Sequence, residues 1–133
     1  MVCVYCGGQT AVINSRRQLK NNRVWRRRRC AGCGAVFSTE EAAQLGLAWQ
    51  VRDGKRLRPF SRDKLFLSLH KSCEHRKTAL SDAEGLTDTV IRKLPALIKD
   101  SAVDSQAIAR VAQVALNRFD KAASVYYESH HRG

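Results

Sequence analysis

The chain has 133 residues, of which 44% are hydrophobic and 27% are charged, values typical of a folded protein and not of a disordered or fibrous one. Its formal charge of +12 indicates an anionic partner such as nucleic acid, a nucleotide or an acidic surface. No apolar run approaches the roughly 20 residues of a membrane span, and the N-terminus lacks the features of a secretory signal. We therefore expect a soluble, cytoplasmic protein with no membrane partner.

Four of the five cysteines form two Cys-x-x-Cys pairs, Cys3 with Cys6 and Cys30 with Cys33, separated by 23 residues. In a reducing compartment such pairs indicate a metal site, and four thiolates close tetrahedrally around Zn²⁺ at about 2.3 Å. With all four ligands supplied by protein, no position remains for a catalytic water, so the zinc is predicted to be structural. The alternatives are unpaired or redox-active thiols and an iron–sulfur cluster.

Glycines surround both cysteine pairs. Gly7 and Gly8 follow the first pair, while Gly32 and Gly34 lie within and after the second. A metal-binding knuckle turns backbone N–H groups toward sulfur and often needs the positive φ that glycine tolerates. A module of about 40 residues buries little surface, so we expect the metal to supply much of its folding free energy.

The positive charge is concentrated in the cysteine-bearing part of the chain. Residues 1 to 39 contain eight Lys or Arg and no Asp or Glu, whereas residues 40 to 133 contain sixteen against twelve. Part of this charge offsets a zinc–tetrathiolate centre, but two cations suffice for that. The excess therefore favours contact with nucleic acid phosphates.

The strongest concentration is the run from Arg26 to Arg29, directly before the second cysteine pair. Side chains alternate along a strand, so Arg26 and Arg28 are expected on one face and Arg27 and Arg29 on the other. A strand fixed by zinc holds them as an ordered array, with Arg23 nearby in sequence and Trp25 stacked or packed in the small core. The residues predicted to bind DNA are Arg16, Arg17, Arg26, Arg27, Arg28 and Arg29.

After FSTEE the sequence changes character, which places a domain boundary near residue 44. Residues 1–44 are predicted to form the metal-bound module, and residues 45–133 a second domain. The second domain begins with a connector and a short hairpin, for which Asp53-Gly54 is the turn signal.

Beyond Pro59 the apolar residues recur with helical spacing. Ser61 is predicted to cap a first helix, and Ser81 to open a second through a capping box that ends at Glu84. Pro95 is expected to kink that helix. A third helix is predicted to begin at about Asp104, and a fourth to contain AASVYYES. The fold class is therefore α+β: a four-cysteine zinc ribbon, then a β-hairpin and a helical bundle.

No catalytic motif is present in the sequence. It lacks the GxxxxGK phosphate-binding loop, a defensible Ser/His/Asp arrangement, and paired carboxylates in an apolar setting. Cys73 falls on an apolar helix face, which is more typical of a core residue than of a reactive thiol. We therefore predict a binding protein and not an enzyme.

Several stretches together resemble the NrdR-type repressors of ribonucleotide reductase genes, in the same order along nearly the whole chain. They are CVYCGGQTAVINSRR, the arginine run before CAGCGAVFSTEE, VRDGKRLRPFSRDKL and ASVYYE. The resemblance implies a DNA-binding zinc ribbon followed by an ATP-cone, a domain that binds ATP or dATP and couples nucleotide state to oligomerisation and operator binding. It assigns Cys3, Cys6, Cys30 and Cys33 as zinc ligands and Arg26, Arg27 and Arg28 as DNA contacts.

The sequence departs from the family pattern at several positions. Arg29 stands where a glutamate is usual, and Trp25 where the first arginine of the run is expected. Val51 replaces a lysine that the resemblance implies as a phosphate contact. The hairpin turn is also one residue longer and carries substitute cations, among them Arg58. The residues predicted to bind nucleotide are Arg52, Lys64 and Tyr126, which the resemblance implies, and the substitute cations Lys55 and Arg56.

The function expected from the sequence is therefore that of a nucleotide-responsive, zinc-dependent DNA-binding repressor. One ribbon offers few base contacts, so specific binding requires several ribbons held at helical-turn spacing, and we expect a homo-oligomer. One alternative is a nucleotide-sensing subunit whose ribbon docks protein. Another is a zinc-ribbon RNA-binding protein with a degenerate ATP-cone.

Overall fold

The computed structural model describes residues 1–131 and divides the chain into two compact units. The first comprises Met1–Gln44, and the second begins at Leu45. Short strands surround a four-cysteine cluster in the first unit, and a hairpin with helices follows in the second. The predicted α+β class is confirmed.

The first unit is a single antiparallel sheet of three strands. Strand β1 spans Thr10–Gln18, β2 spans Arg23–Cys30 and β3 spans Val36–Ala42, with β2 in the centre. Among residues 1–44 only Cys3 and Cys30 are buried. A sheet one layer thick, without a second layer to cover it, cannot be stabilised mainly by hydrophobic burial.

The second unit contains a small mixed sheet. Strands β4 (Gln50–Asp53) and β5 (Arg56–Pro59) form the predicted hairpin, joined by a turn in which Gly54 has φ +62°. Strand β6 (Ala102–Asp104) pairs in parallel on the other side of β4. The sequence patterns did not predict β6, because three residues are too few to show a strand period.

Helices cover this sheet and supply most of the core. They are α1 (Arg62–Ser72), α2 (Ala79–Lys93), α3 (Ser105–Phe119) and α4 (Lys121–His130). As predicted, the Ser61 side chain caps α1, accepting from the N–H of Lys64, and α3 begins next to Asp104, whose side chain caps it. Within residues 1–131, no helix combines the length and apolar character needed to cross a membrane.

The predicted start of α2 is wrong. The helix begins at Ala79, two residues before Ser81, and Ser81 Oγ donates to the carbonyl of Thr78 at 3.1 Å instead of capping the helix. The hydroxyl of Thr78, the residue directly before the helix, donates to Asp82 Oδ2 at 2.6 Å and so connects Thr78 to the first turn of α2. Local hydrogen bonds of Thr78 therefore override the capping-box pattern.

Pro95 ends α2 and does not kink it. The helix stops at Lys93, and Pro95 lies in a short 3-10 turn, Leu94–Leu97. Proline has no N–H to donate into a preceding turn, and its ring disfavours helical geometry in the residue before it. The chain therefore leaves the helical path and proceeds toward β6.

The core of the second unit lies between the helices and one face of the sheet. Leu69, Leu94 and Leu116 are completely buried, and Val51 and Val103 contribute from the strands. Cys73 lies in the same core, where burial raises its pKa, as expected for a packing residue. This apolar interior fixes the hairpin relative to the ends of α1 and α3.

A cluster of ionic contacts joins the α1–α2 connection to the start of α4. Arg76 Nε lies 2.9 Å from Asp82 Oδ2, and Arg76 Nη1 lies 2.9 Å from Asp120 Oδ2. His75 Nε2 also approaches Asp120 Oδ2, at 3.1 Å. The Arg76 guanidinium stacks over the ring of Phe119, 4.6 Å from its centroid. Arg76 thus links α2 to the junction of α3 and α4 at the surface.

Candidate functional site

The four cysteines of the two pairs converge at one end of the ribbon sheet. Their sulfur atoms all lie within 4.8 Å of one another. The Sγ atoms of Cys3 and Cys33 are 3.7 Å apart, and those of Cys6 and Cys30 are 3.4 Å apart. A tetrahedral zinc site with bonds of about 2.3 Å places its sulfurs about 3.8 Å apart. The cluster therefore fits Zn²⁺ in size and in ligand type.

The two cysteine pairs adopt the same backbone turn. Gly7 and Gly34, each directly after a pair, have φ values of +76° and +75°. The N–H of Gly7 donates to the carbonyl of Cys3 at 3.0 Å, and that of Gly34 donates to Cys30 at 3.1 Å. This repeated left-handed turn is one that glycine adopts without strain, and it aims both pairs at a common point.

Backbone N–H groups also point at the sulfurs. The N–H of Tyr5 lies 3.4 Å from Cys3 Sγ, and the N–H of Gly32 lies 3.3 Å from Cys30 Sγ. The N–H of Gly8 lies 3.4 Å from Cys6 Sγ, and a Cβ at Gly8 would stand 3.3 Å from that sulfur. Such N–H donors stabilise thiolates, and the glycine leaves room for them.

The pKa values of Cys30 and Cys33 are shifted in opposite directions. The N–H of Cys33 holds the pKa of Cys30 at about 6, despite the burial of that sulfur. For Cys33 the N–H of Ala35 acts in the same direction, but the neighbouring thiols, Cys6 foremost, and burial raise its pKa to about 11. Thiols this close cannot all lose their protons without a cation, because the thiolate charges repel one another. A divalent cation removes that conflict, so its binding releases protons.

The arginine run lies on β2, the central strand, and shows the alternation expected for a strand. Arg27 and Arg29 are exposed, while Arg26 and Arg28 are half-buried on the opposite face. Cys30 ends this strand, so the four arginines lie one to four positions before a residue of the cysteine cluster.

Arg26 and Arg28 are engaged within the sheet. Arg26 Nη1 lies 3.2 Å from Glu41 Oε2, and Arg28 Nε donates to Thr39 Oγ1 at 3.3 Å. On the face of β2 that carries Arg27 and Arg29, Arg23 makes a similar 3.2 Å pair with Glu40. These exposed pairs each contribute little to stability, but they reduce the charge available to a partner.

Arg27 and Arg29 face short, uncharged neighbours. Arg27 lies opposite Asn14 and Ser38, and Arg29 lies opposite Ala11 and Val36. Within residues 1–131 neither arginine makes an ion pair with an acidic side chain. Both guanidinium groups are therefore open to an anion from outside.

Two further arginines come from the edge strand β1, and both are exposed. Arg16 lies opposite Trp25, with its guanidinium carbon 5.8 Å from the centroid of the indole ring. Trp25 is on the same face as Arg27, since the two are two residues apart on one strand. Arg17 lies on the other face. Arg16, Arg27 and Arg29 therefore form one array, which we call the arginine face.

The second unit contains a cavity of about 310 Å³ beside the hairpin. Its wall combines apolar side chains of the core with polar groups at two helix N-termini, Ser61 of α1 and Ser105 of α3. Arg58 and Lys64 supply positive charge, and Asp53 supplies a carboxylate. The volume lies at the lower end of the range for small-ligand pockets, and helix N-termini favour bound anions.

Of the residues predicted to bind nucleotide, Lys64 lines this cavity. Arg52, Lys55, Arg56 and Tyr126 are not part of its wall as the structure describes it. Arg52 lies one residue from the inward Val51 on β4, so it faces the other side of the sheet, and the two following cations flank the hairpin tip.

Two other residues contribute to the wall, Arg58, which the sequence indicated as a substitute cation, and Tyr127, which it did not indicate. Arg58 lies directly opposite Val51 on β5, and Tyr127 enters from α4 beside Tyr126. Tyr126 instead stacks on His130, with ring centroids 4.1 Å apart. The helical phase of α4 contained the signal for Tyr127, since it lies four residues after the buried Ala123.

Comparison with known proteins identifies the first unit. A family model described as the N-terminal domain of NrdR-like transcriptional repressors, a zinc ribbon, matches residues 1–41. The first unit is therefore a zinc-ribbon domain with a four-cysteine cluster.

Similarity to known proteins extends over nearly the whole chain. The transcriptional repressor NrdR of Symbiobacterium thermophilum is 35% identical over 132 residues, which cover 99% of this chain and 87% of the relative. NrdR of Xanthobacter autotrophicus is 36% identical, over 99% of this chain and 72% of the relative. NrdR of Geobacter sulfurreducens is 32% identical, over 99% and 88% respectively. This chain belongs to the NrdR family of transcriptional repressors.

Proposed function

We propose that the protein is a cytoplasmic repressor whose zinc ribbon binds double-stranded DNA at ribonucleotide reductase genes, and that ATP or dATP controls its oligomerisation and operator binding. The names of its relatives support the repressor role. The cysteine cluster supports structural zinc, with Cys3, Cys6, Cys30 and Cys33 as ligands.

DNA binding rests on one observation above all. Within residues 1–131, Arg27 and Arg29 are exposed and make no ion pair with an acidic side chain, and both lie on the strand that ends at Cys30. Because the strand fixes the spacing of their backbones, both guanidinium groups can reach the same side of the sheet and meet neighbouring phosphates. The arginine face is therefore the proposed DNA-contacting surface, with Arg26 and Arg28 in a supporting role.

Two double variants test this assignment. Each variant removes the two arginines of the run that lie on one face of β2. Arg27→Ala with Arg29→Ala should lower affinity for a duplex from a ribonucleotide reductase promoter and reduce the salt slope of binding by about 2. Arg26→Ala with Arg28→Ala should have the smaller effect, since these arginines already have partners. Fluorescence anisotropy over a salt series measures both, with bound zinc and circular dichroism as checks of folding.

The result can contradict the proposal in two ways. Equal losses in both double variants would mean that net charge, and not the arginine face, determines binding. Unchanged binding in both would favour a ribbon that docks protein. A preference for RNA over the duplex would favour the RNA-binding alternative.

Nucleotide binding is proposed for the cavity of the second unit. Arg58 and Lys64 provide charge for phosphates, and the apolar wall provides a surface for a base. Calorimetric titration of the zinc-loaded protein with ATP and dATP tests this, with sedimentation velocity to follow oligomerisation. No heat with either nucleotide would indicate a cone that has lost its ligand.

A further inference from the structure

The two acidic residues of the ribbon lie on opposite faces of its sheet. Glu40 and Glu41 are the only acidic residues among residues 1–44 of the sequence. They are neighbours on β3, so their side chains point to opposite sides. Glu40 lies opposite Trp25, on the side of the arginine face, whereas Glu41 lies opposite Val24, on the other side. One carboxylate therefore belongs to the proposed DNA-contacting side of the sheet.

A carboxylate is an unexpected group on a surface that binds a polyanion. Near a phosphate it opposes binding, because like charges repel. A base edge differs from a phosphate, since the major groove presents hydrogen-bond donors as well as acceptors. The N4 amino group of cytosine is such a donor, and a Glu or Asp carboxylate commonly accepts from it. The position of Glu40 therefore favours contact with a base and not with the backbone.

Glu40 is paired with an arginine on the same face. Arg23 Nη1 lies 3.2 Å from Glu40 Oε2, and the two side chains are 40% and 41% exposed. An ion pair with this much exposure is weak, so its members can turn toward a ligand at little cost. The pair has no net charge and presents donors directly beside an acceptor. It differs in this respect from Arg27 and Arg29, which present positive charge alone.

This arrangement of donors and acceptor is complementary to a G·C base pair. In the major groove, O6 and N7 of guanine are adjacent acceptors, which arginine binds with two hydrogen bonds, and N4 of the paired cytosine is a donor. An A·T pair lacks two adjacent acceptors on its purine, because adenine presents a donor at N6 beside N7. An arginine and a glutamate held together therefore distinguish G·C from A·T.

We infer that Arg23 and Glu40 are specificity-determining residues that together recognise one G·C base pair in the major groove. This rests on the DNA binding proposed above, in which Arg27 and Arg29 contact phosphates. Arg23 precedes Arg27 by four positions on β2, a separation of about 14 Å along the strand. The major groove is about 12 Å wide, so one end of this surface can contact the backbone while the other reaches the base edges.

The test measures discrimination between base pairs by the zinc-loaded full chain. Fluorescence anisotropy gives the affinity for a duplex from a ribonucleotide reductase promoter and for copies in which each G·C pair in turn is replaced by A·T. Wild-type protein should bind at least one of these copies about five- to a hundredfold more weakly. Glu40→Ala should bind that copy and the original duplex about equally.

Glu41→Ala is the matched control. It removes the same charge from the neighbouring residue, which also lies 3.2 Å from an arginine, Arg26, but on the opposite face. It should keep the discrimination of wild type, with bound zinc and circular dichroism as checks of folding. Arg23→Ala should lose discrimination at the same base pair as Glu40→Ala, since the two residues act as one unit.

Three results would contradict the inference. Wild-type discrimination in Glu40→Ala, or equal affinity of wild type for every copy, would reduce the contact with Arg23 to a surface ion pair and leave DNA binding intact. Loss of discrimination at different base pairs in Arg23→Ala and Glu40→Ala would overturn their joint action. Failure of wild type to bind any of the duplexes would overturn the proposed DNA binding and this inference with it.

Discussion

Val51 lies directly opposite Arg58 across the β4–β5 hairpin, and both side chains line the cavity of the second unit. Val51 is 5% exposed and belongs to the core. The resemblance of this segment to the family pattern had implied a phosphate-binding lysine at the position of Val51. In the structure, Arg58 on the neighbouring strand supplies a positive charge next to Val51 instead.

Arg58→Ala should weaken ATP binding by about tenfold, as expected for loss of one charge-assisted contact to phosphate. Arg56→Ala is the matched control, since Arg56 lies on the same short strand but outside the cavity wall. Calorimetric titration of both variants measures the difference. Equal effects of the two substitutions would indicate a general charge effect of the hairpin.

Removal of metal should unfold the ribbon and spare the helices. Only Cys3 and Cys30 are buried among residues 1–44, so little apolar burial remains without the metal. After chelation, amide resonances of β1 to β3 should collapse in a two-dimensional NMR spectrum, while those of α1 to α4 should persist. A ribbon that keeps its dispersed resonances without metal would contradict this view of its stability.

Gly46 should tolerate alanine less well than Gly54 does. Gly46 has φ +89°, and a Cβ there would lie 2.8 Å from Cδ1 of Phe60, whereas Gly54 has φ +62° and open space around it. We expect a loss of about 1 kcal/mol for Gly54→Ala, from backbone strain alone, and about 2–3 kcal/mol for Gly46→Ala. Urea unfolding followed by the helical circular dichroism signal compares the two. Equal losses would mean that the Phe60 ring moves aside freely.

Asp120 should make the helical unit sensitive to acid. The N–H of Ala123, then His75 and Arg76, hold the pKa of this carboxyl well below its usual range. A carboxyl whose pKa is lowered by folding stabilises fully above its unfolded pKa, about 3.9, and loses that contribution as the pH falls through the folded pKa.

Asp120→Asn should therefore lower the melting temperature of the helices at neutral pH, and the difference from wild type should shrink as the pH falls below about 4. The pKa of Asp82 is also lowered, by Thr78 and then Arg76, so some acid sensitivity should remain in the variant. Melting curves at a series of pH values measure the difference. A constant difference across the series would show that Asp120 acts by packing and not by charge.

The sequence was most informative where a local rule decides the structure. The spacing of the cysteines predicted their convergence, and the polar side chains of Ser61 and Asp104 marked the starts of α1 and α3. Alternation along β2 predicted that Arg27 and Arg29 share a face. Each of these features depends on residues a few positions apart or on a metal-ligand pattern.

The features that were missed depend on distant residues. Strand β6 exists because Val103 pairs with Val51, 52 positions earlier in the chain. Likewise, the choice of Tyr127 over Tyr126 for the cavity depends on how α4 rotates against α1. The spacing from Ala123 indicates which tyrosine faces the core, but no local pattern shows that this face of α4 meets a cavity.

The thin ribbon has a physiological implication. A sheet with almost no apolar interior has its shape only as long as the cell provides an ion for its cysteines, and Arg16, Arg27 and Arg29 are brought together by that shape. Scarcity of the metal would therefore disperse the three guanidinium groups. The supply of metal would then determine how much of the protein presents the arginine face.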